Sequence, residues 1–232
     1  MELVFDHAVF LRKDWQLEAD GRFLPGIHLV SGKIGAGKTT LSLMAAGLLS
    51  PDKGSVKRND IHSVMLSMQF PEYHVTGSTI SAEVRSWGLD PDIVLASAGL
   101  EGYGKKDPFR LSRGELKRLH LHCILSRDWD LLILDEPFSA LDCREKKDVC
   151  QRIDQKTGGI VIICTHEQRF FPHVDVIWEI QCGTLVRTGE LPHALTRWSH
   201  APARIRKLVE KGIIPENISE SDIMEASCWM HE

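Results

Sequence analysis

No apolar run in this chain approaches the ~18 residues that a bilayer-spanning helix needs. The opening Met1-Glu2-Leu3-Val4-Phe5-Asp6 also lacks the basic-then-apolar order of a secretory leader. The expectation is a chain that stays in the cytoplasm. None of the cysteines, at 123, 143, 150, 164, 182 and 228, forms a C-x-x-C pair. That removes the usual zinc and dithiol signatures, and because several sit in apolar runs they read as reduced core thiols. Positive charge is not in excess: 28 Lys and Arg against 32 Asp and Glu give a net charge of −4 and a pI near 6.3. Bulk electrostatics therefore do not favour a nucleic-acid backbone as partner. Heptads, internal repeats and low-complexity segments are missing too. Histidine is plentiful, but His120 and His122 stand two apart on an expected helix, face different directions and do not share an ion easily. What remains is ordinary for a globular protein: 232 residues, 43% hydrophobic and 26% charged, enough for one α/β domain with a small appendage.

The stretch Gly32-Lys33-Ile34-Gly35-Ala36-Gly37-Lys38-Thr39-Thr40 fits G-x-x-x-x-G-K-[ST], the phosphate-binding loop. It follows the apolar run Ile27 to Val30 and precedes the helix-like Leu41 to Ala46, which is the strand-loop-helix context such a loop requires. The glycines let the backbone wrap an anion with its N–H groups inward. The helix N-terminus adds unpaired N–H groups and partial positive charge. Lys38 is expected to reach the β- and γ-phosphates, and the Thr39 hydroxyl to hold Mg²⁺. Phe10, and after it Trp15, are the aromatics placed to stack on an adenine. A plain core role is the alternative for both.

Residues 1 to about 30 read as short strands and turns, with Asp20-Gly21 as a hairpin turn. Continuous apolar runs at Val64 to Met68, Leu131 to Leu134 and Ile160 to Cys164 read as buried strands, the second as a central parallel one, and Asp175 to Arg187 suggests two last strands. Between Pro71 and about Arg127 apolar residues recur at helical spacing, which predicts a mainly helical insertion. Strands alternating with helices imply a mostly parallel α/β sheet with ligands at the strands' carboxyl ends. Gln69, Asp135 and His166 each follow a strand at that end.

Leu111-Ser112-Arg113-Gly114-Glu115 opens an apparent helix, where Ser112 alone would be an ordinary N-cap. Together, Gly32 to Thr40, Gln69, Leu111 to Glu115, Leu131 to Pro137, Ser139 to Asp142 and His166 occur in the order and rough spacing of the ATP-binding-cassette ATPases, and residues 1–190 resemble that family. The resemblance implies a P-loop sheet core with a β subdomain and a helical signature subdomain at about 71–127. Residues 191–232 follow as a helical extension. It implies ATP and Mg²⁺ as ligands, with Thr39, Asp135 and Gln69 around the ion. Glu136 would polarise the attacking water, and His166 would hold that water and the γ-phosphate. It also implies head-to-tail pairing with a second copy or a paralogue, in which Ser112 and the Gly114 backbone meet the partner's γ-phosphate and Asp142 crosses the interface. Arg113 and Glu115 depart from the family's L-S-G-G-Q. Arg113 either hinders that composite site or pairs with an acidic neighbour or with phosphate.

Gln69-Phe70-Pro71-Glu72-Tyr73-His74 with Ser78 to Val84 resembles the Q-x-P-E segment of the energy-coupling-factor ATPases, which power vitamin, cobalt and nickel uptake. A Pro-initiated turn before an amphipathic helix is the structural alternative. The tail from Pro192 through Gly212 to Ile223 is similar to the tail that helps those ATPases dimerise. This branch implies a peripheral protein on the cytoplasmic face of the membrane. Its Gln69–Trp87 region would touch a transmembrane coupling protein, and it would reach a substrate-binding membrane subunit only indirectly. The rivals are a P-loop small-molecule kinase, a cassette ATPase acting on DNA or the ribosome, and a cassette that binds ATP but barely turns it over.

Overall fold

The computed structural model describes residues 1–228; the last four residues of the expected C-terminal extension, 229–232, lie outside the described residues. Strands β1 (Glu2–Arg12), β2 (Trp15–Phe23), β3 (Gly26–Ser31), β4 (Lys53–Asn59), β5 (Val64–Ser67), β6 (Leu131–Asp135), β7 (Ile160–Cys164), β8 (Val176–Gln181) and β9 (Thr184–Glu190) form one sheet in the order β4-β1-β2-β9-β8-β3-β7-β6-β5. The half from β8 to β5 is parallel, as the continuous apolar runs require. β1, β2 and β4 pair antiparallel and join the rest through a short parallel contact of β2 with β9.

Helices fall on both faces. Helix α1 (Lys38–Ala46) packs with the β1–β2 ribbon on one face, where Leu41 and Met44 share a core with Ile133, Ile162 and Trp178. The other face carries α4 (Arg113–Leu125), α5 (Cys143–Asp154), and tail helices α6 (Ala203–Glu210) and α7 (Glu220–Cys228), packed on Leu132, Leu134, Val161 and Ile163. Alternate residues of β6 and β7 thus serve opposite cores, so both strands are apolar throughout. Helices α2 (Ile80–Ser86) and α3 (Pro91–Ser97) enclose a third, smaller core with the first half of α4. Helix α4 is shared: Leu116, Leu119 and Cys123 belong to that small core, and Leu121, Ile124 and Leu125 to the main one.

Two local expectations are corrected. Asp20-Gly21 is not a turn, because both residues lie inside β2 and the hairpin turns at Lys13-Asp14. Gly21 has φ +145°, and a Cβ there would stand 2.9 Å from the Trp178 ring, so the glycine answers a close approach rather than a reversal. Strand β4 was not anticipated, because Lys-Gly-Ser-Val-Lys-Arg-Asn holds one large apolar residue and forms the sheet edge, where apolar alternation is not demanded. All six thiols are free; Cys123, Cys150 and Cys164 are core residues and the other three are exposed.

Candidate functional site at the carboxyl ends of the parallel strands

Strand β3 runs straight into the glycine loop, and α1 begins at Lys38. Gly35 and Gly37 take φ +79° and +111°, and a Cβ on Gly37 would lie 2.6 Å from the Trp15 ring. Glycine is therefore required at 37 both for backbone conformation and for contact with the β1–β2 ribbon. The Lys38 ammonium is buried and donates to the carbonyls of Gly32, at 2.9 Å, and Lys33, at 3.2 Å. It curls over its own loop.

β6 delivers two carboxylates. Asp135 Oδ2 accepts the Thr39 hydroxyl at 2.7 Å, while Asp135 Oδ1 is buried without a partner. Burial raises the Asp135 pKa, with the Thr39 hydrogen bond opposing it. An unpaired carboxylate oxygen beside a hydroxyl, with Gln69 lining the same cleft, is a hard-oxygen donor set that fits Mg²⁺. Glu136 stands at φ +50°, a left-handed conformation unusual for glutamate, just past the end of β6. Four contacts hold it there. Thr165 Oγ1 donates to Oε2 at 3.0 Å and the His166 backbone N–H to the same oxygen at 3.4 Å; His166 Nδ1 lies 2.6 Å from Oε1, and Lys38 Nζ 3.8 Å from it. β7 supplies Thr165 and His166 as β6 supplies Asp135 and Glu136, so the parallel pairing itself aligns them.

Lys38, Thr39, Asp135, Glu136 and His166 share one cleft of about 570 Å³, whose wall includes Phe10, Trp15, Gly35, Thr40 and Gln69. Phe10 is buried, with the Arg12 guanidinium 5.1 Å from its ring centroid, whereas Trp15 is part-exposed. Gly32 and Lys33 instead border a second cavity, between the loop, His166 and the tail residues Trp198 to Arg206. Ala36 packs against the α1-side core.

Ser112, Gly114 and Asp142 do not line that cleft. Ser112 caps α4 in a reciprocal box: its Oγ accepts the Glu115 N–H at 3.3 Å and Glu115 Oε2 accepts the Ser112 N–H at 2.8 Å. Asp142 caps α5 in the same way with Glu145. The two caps adjoin, since a Cβ on Gly114 would stand 2.7 Å from the Ala140 carbonyl. Arg113 pairs with an acidic neighbour: its Nε lies 3.6 Å from Glu72, and its guanidinium 5.1 Å from the Phe70 ring centroid. Sequence reasoning missed Thr165, although its place beside His166 at a strand end was a signal. It also missed Lys117, a buried lysine for which the sequence gives no sign.

Residues 26–139 match the family described as "ABC transporter". The energy-coupling factor transporter ATP-binding protein EcfA1 of Thermotoga maritima is 34% identical, over 68% of this chain and 69% of its own length. EcfA2 of the same organism is 30% identical over 86% of each. EcfA2 of Methanospirillum hungatei is 32% identical, and there the chain spans only 46% of the relative. Among solved structures, cbiO1 from Clostridium perfringens, described as part of the ABC transporter complex cbiONQ, superposes with a TM-score of 0.63 at 20% identity. That likeness covers 90% of this chain and 98% of that one and speaks to the fold. Two relatives matched at 30% identity or more over two thirds or more of their own length show the family, and the cleft holds the residues that the resemblance led one to expect: the chain belongs to the ABC transporter ATP-binding proteins of the energy-coupling factor type.

Proposed function

We propose that this chain is the ATP-hydrolysing subunit of a membrane importer of the energy-coupling factor type. The observation that carries the proposal is Glu136, held by Thr165 and His166 and facing Lys38 in the phosphate-loop cleft. Phosphoryl transfer to water needs positioning and charge neutralisation more than covalent chemistry. The loop N–H groups and Lys38 would hold the β- and γ-phosphates. Thr39, Asp135 and Gln69 would hold Mg²⁺, which when bound neutralises charge building on the phosphate oxygens. Glu136, already a hydrogen-bond acceptor in a fixed orientation, would accept a proton from the attacking water, with His166 aligning water and γ-phosphate. For the adenine, Trp15 offers the freer aromatic face, with Phe10 buried beside it under Arg12.

Ser112 and Gly114, exposed or part-exposed at the start of α4, are the groups that a second subunit's γ-phosphate would meet, with Asp142 at the same edge. The partner is a second copy or a paralogue. The region Gln69–Trp87, where Phe70 and Tyr73 present exposed rings, is the surface proposed for a transmembrane coupling protein. A substrate-binding subunit would then be reached indirectly, from the cytoplasmic face of the membrane. The tail helices, packed on the main core, would steady the dimer. No nucleic-acid partner is proposed.

The test is Glu136→Gln, with turnover and solution mass measured with and without Mg·ATP. Retained ATP binding, a turnover loss of about 10²- to 10³-fold and an ATP-dependent shift from monomer toward dimer are expected. Unaltered turnover would remove Glu136 from its role. A dimer shift seen only with copurified membrane partners would indicate a paralogous partner or a need for the scaffold.

A further inference from the structure

Lys117 is among the largest fully buried side chains of the protein, 1% exposed in the middle of α4. Taking an ammonium group out of water costs several kcal/mol unless its protons find acceptors. Among the described residues no carboxylate lies within 4 Å of it. Its Nζ donates instead to two consecutive backbone carbonyls at the end of β5, those of Met68 at 3.0 Å and Gln69 at 3.4 Å. The neighbours of Lys117 on the same helical face reach the same segment. Arg113, one turn earlier, pairs with Glu72 and lies against Phe70. His120, one turn later, stacks on His74 at 4.4 Å between ring centroids, and His74 Nε2 accepts the Met68 N–H at 3.2 Å. Positions 113, 117 and 120 form one stripe of the helix, and that stripe pins Met68 to His74 along its length.

We propose that Lys117 is a positioning residue for the reaction. By holding the carbonyls of Met68 and Gln69 it fixes the backbone from which the Gln69 side chain enters the cleft, and it ties that backbone to the helix that begins at Ser112. Gln69 in the cleft and the Ser112 end of α4 then move as one body. This rests on the ATPase reading above. A neutral apolar side chain of similar length would fill the space but take the donor away from both part-buried carbonyls, so the loss would fall on the geometry of Gln69.

The experiment is a double-mutant cycle of Lys117→Met with Gln69→Ala, read by steady-state turnover and by binding of a fluorescent ATP analogue. Amide hydrogen exchange across residues 68–77 of the nucleotide-free protein is the second readout. Lys117→Met is expected to lower kcat about tenfold, with analogue binding kept. In the Gln69→Ala background it should cost little more, because residues acting through one another are non-additive. Exchange at 68–77 should accelerate about tenfold while the phosphate-loop peptides stay protected. An equal loss of kcat in both backgrounds, or unchanged kcat, or unchanged exchange, overturns the proposal. If the wild-type protein does not turn ATP over, the ATPase reading falls. The exchange arm would still decide whether Lys117 orders the Gln69 segment. If Lys117→Met does not fold, Lys117→Gln, which keeps N–H donors on a shorter stem, is put through the same cycle: a smaller loss of kcat that vanishes in the Gln69→Ala background is expected, and an equal loss in both backgrounds or unchanged exchange at 68–77 overturns the proposal.

Discussion

Gly114→Ala sets two opposing effects against each other at one atom. In a helix alanine is favoured over glycine by about 1 kcal/mol, and Gly114 lies in the first turn of α4 with no left-handed backbone to protect. The added Cβ, however, would sit 2.7 Å from the Ala140 carbonyl oxygen, which is backbone and cannot swing aside. Ala140 is itself held at φ +63° between Glu136 and the α5 cap. Overpacking of this kind costs about 1–3 kcal/mol, and contact with a fixed backbone oxygen belongs to the upper part of that range, about 2–3 kcal/mol, so the net effect should be a destabilisation of about 1–2 kcal/mol. For a domain of this size that corresponds to a fall in Tm of about 2–8 °C. Thermal unfolding followed by far-UV circular dichroism measures it, and Gly114→Ala turnover should fall with it because Ser112 is displaced along with the helix start. A Tm equal to or above wild type would refute the steric reasoning. Gly114 would then owe its place to the phosphate alone.

Trp15→Ala should weaken ATP binding about tenfold or more, the usual worth of one stacked base. Phe10→Ala should instead cost about 3–5 kcal/mol of stability in a urea titration, as for a buried aromatic; the reverse pattern would return the adenine to Phe10. Burial lowers the pKa of His28 and His120, and that of His122 to about 4, so in the fold they stay neutral where the unfolded chain would protonate them. Stability from these groups is complete above about pH 6.5 and should fall as the pH drops toward 4, by up to about 1.4 kcal/mol per pH unit for each histidine; denaturation midpoints at pH 7.5, 6 and 5 would reveal a flat profile if the assignment is wrong. Asn217, 2% exposed, accepts the N–H groups of Val174, at 2.9 Å, and Ile218 and donates to the Val174 carbonyl, fastening the tail to the chain entering β8. Asn217→Ala should cost about 1–3 kcal/mol through the buried groups it strands, measurable by urea unfolding.

What the sequence made legible follows from where the physics is local. β6 and β7 are apolar at every position because both faces are covered, and each run stops abruptly at the polar residues that occupy the cleft. The strand ends at Asp135-Glu136 and Thr165-His166 are therefore legible from the pattern, whereas the roles expected of Glu136 and His166 rest on the family resemblance. The phosphate loop was legible because its backbone demands lie within nine residues of chain, although Gly37 also answers the close approach of Trp15. Gly21 was not, because its neighbour is Trp178, far away in the chain. β4 carries no apolar pattern to read. Lys117 was hidden because a lysine in a helix ordinarily reads as surface, and only the packing of β5 against α4 shows where its amine ends.

The departures from L-S-G-G-Q become intelligible once α4 is seen in place. Glu115 replaces a neutral amide with a carboxylate that accepts the Ser112 N–H, and this hydrogen bond is the leading cause of its lowered pKa. The change therefore reinforces the cap that sets the direction of the Ser112 side chain. Arg113 would block the helix start if its side chain lay over that hydroxyl, but Glu72 and the Phe70 ring draw it toward the Gln69 segment. The Ser112 oxygen accepts one N–H at 3.3 Å, and a hydroxyl in that position still has its own proton to donate. In the proposed sandwich that proton is what a second subunit's γ-phosphate needs. Arg113 thus braces the start of α4 against the Gln69 segment, Glu115 reinforces its cap, and in the proposed sandwich Ser112 and Gly114 stay available to the partner.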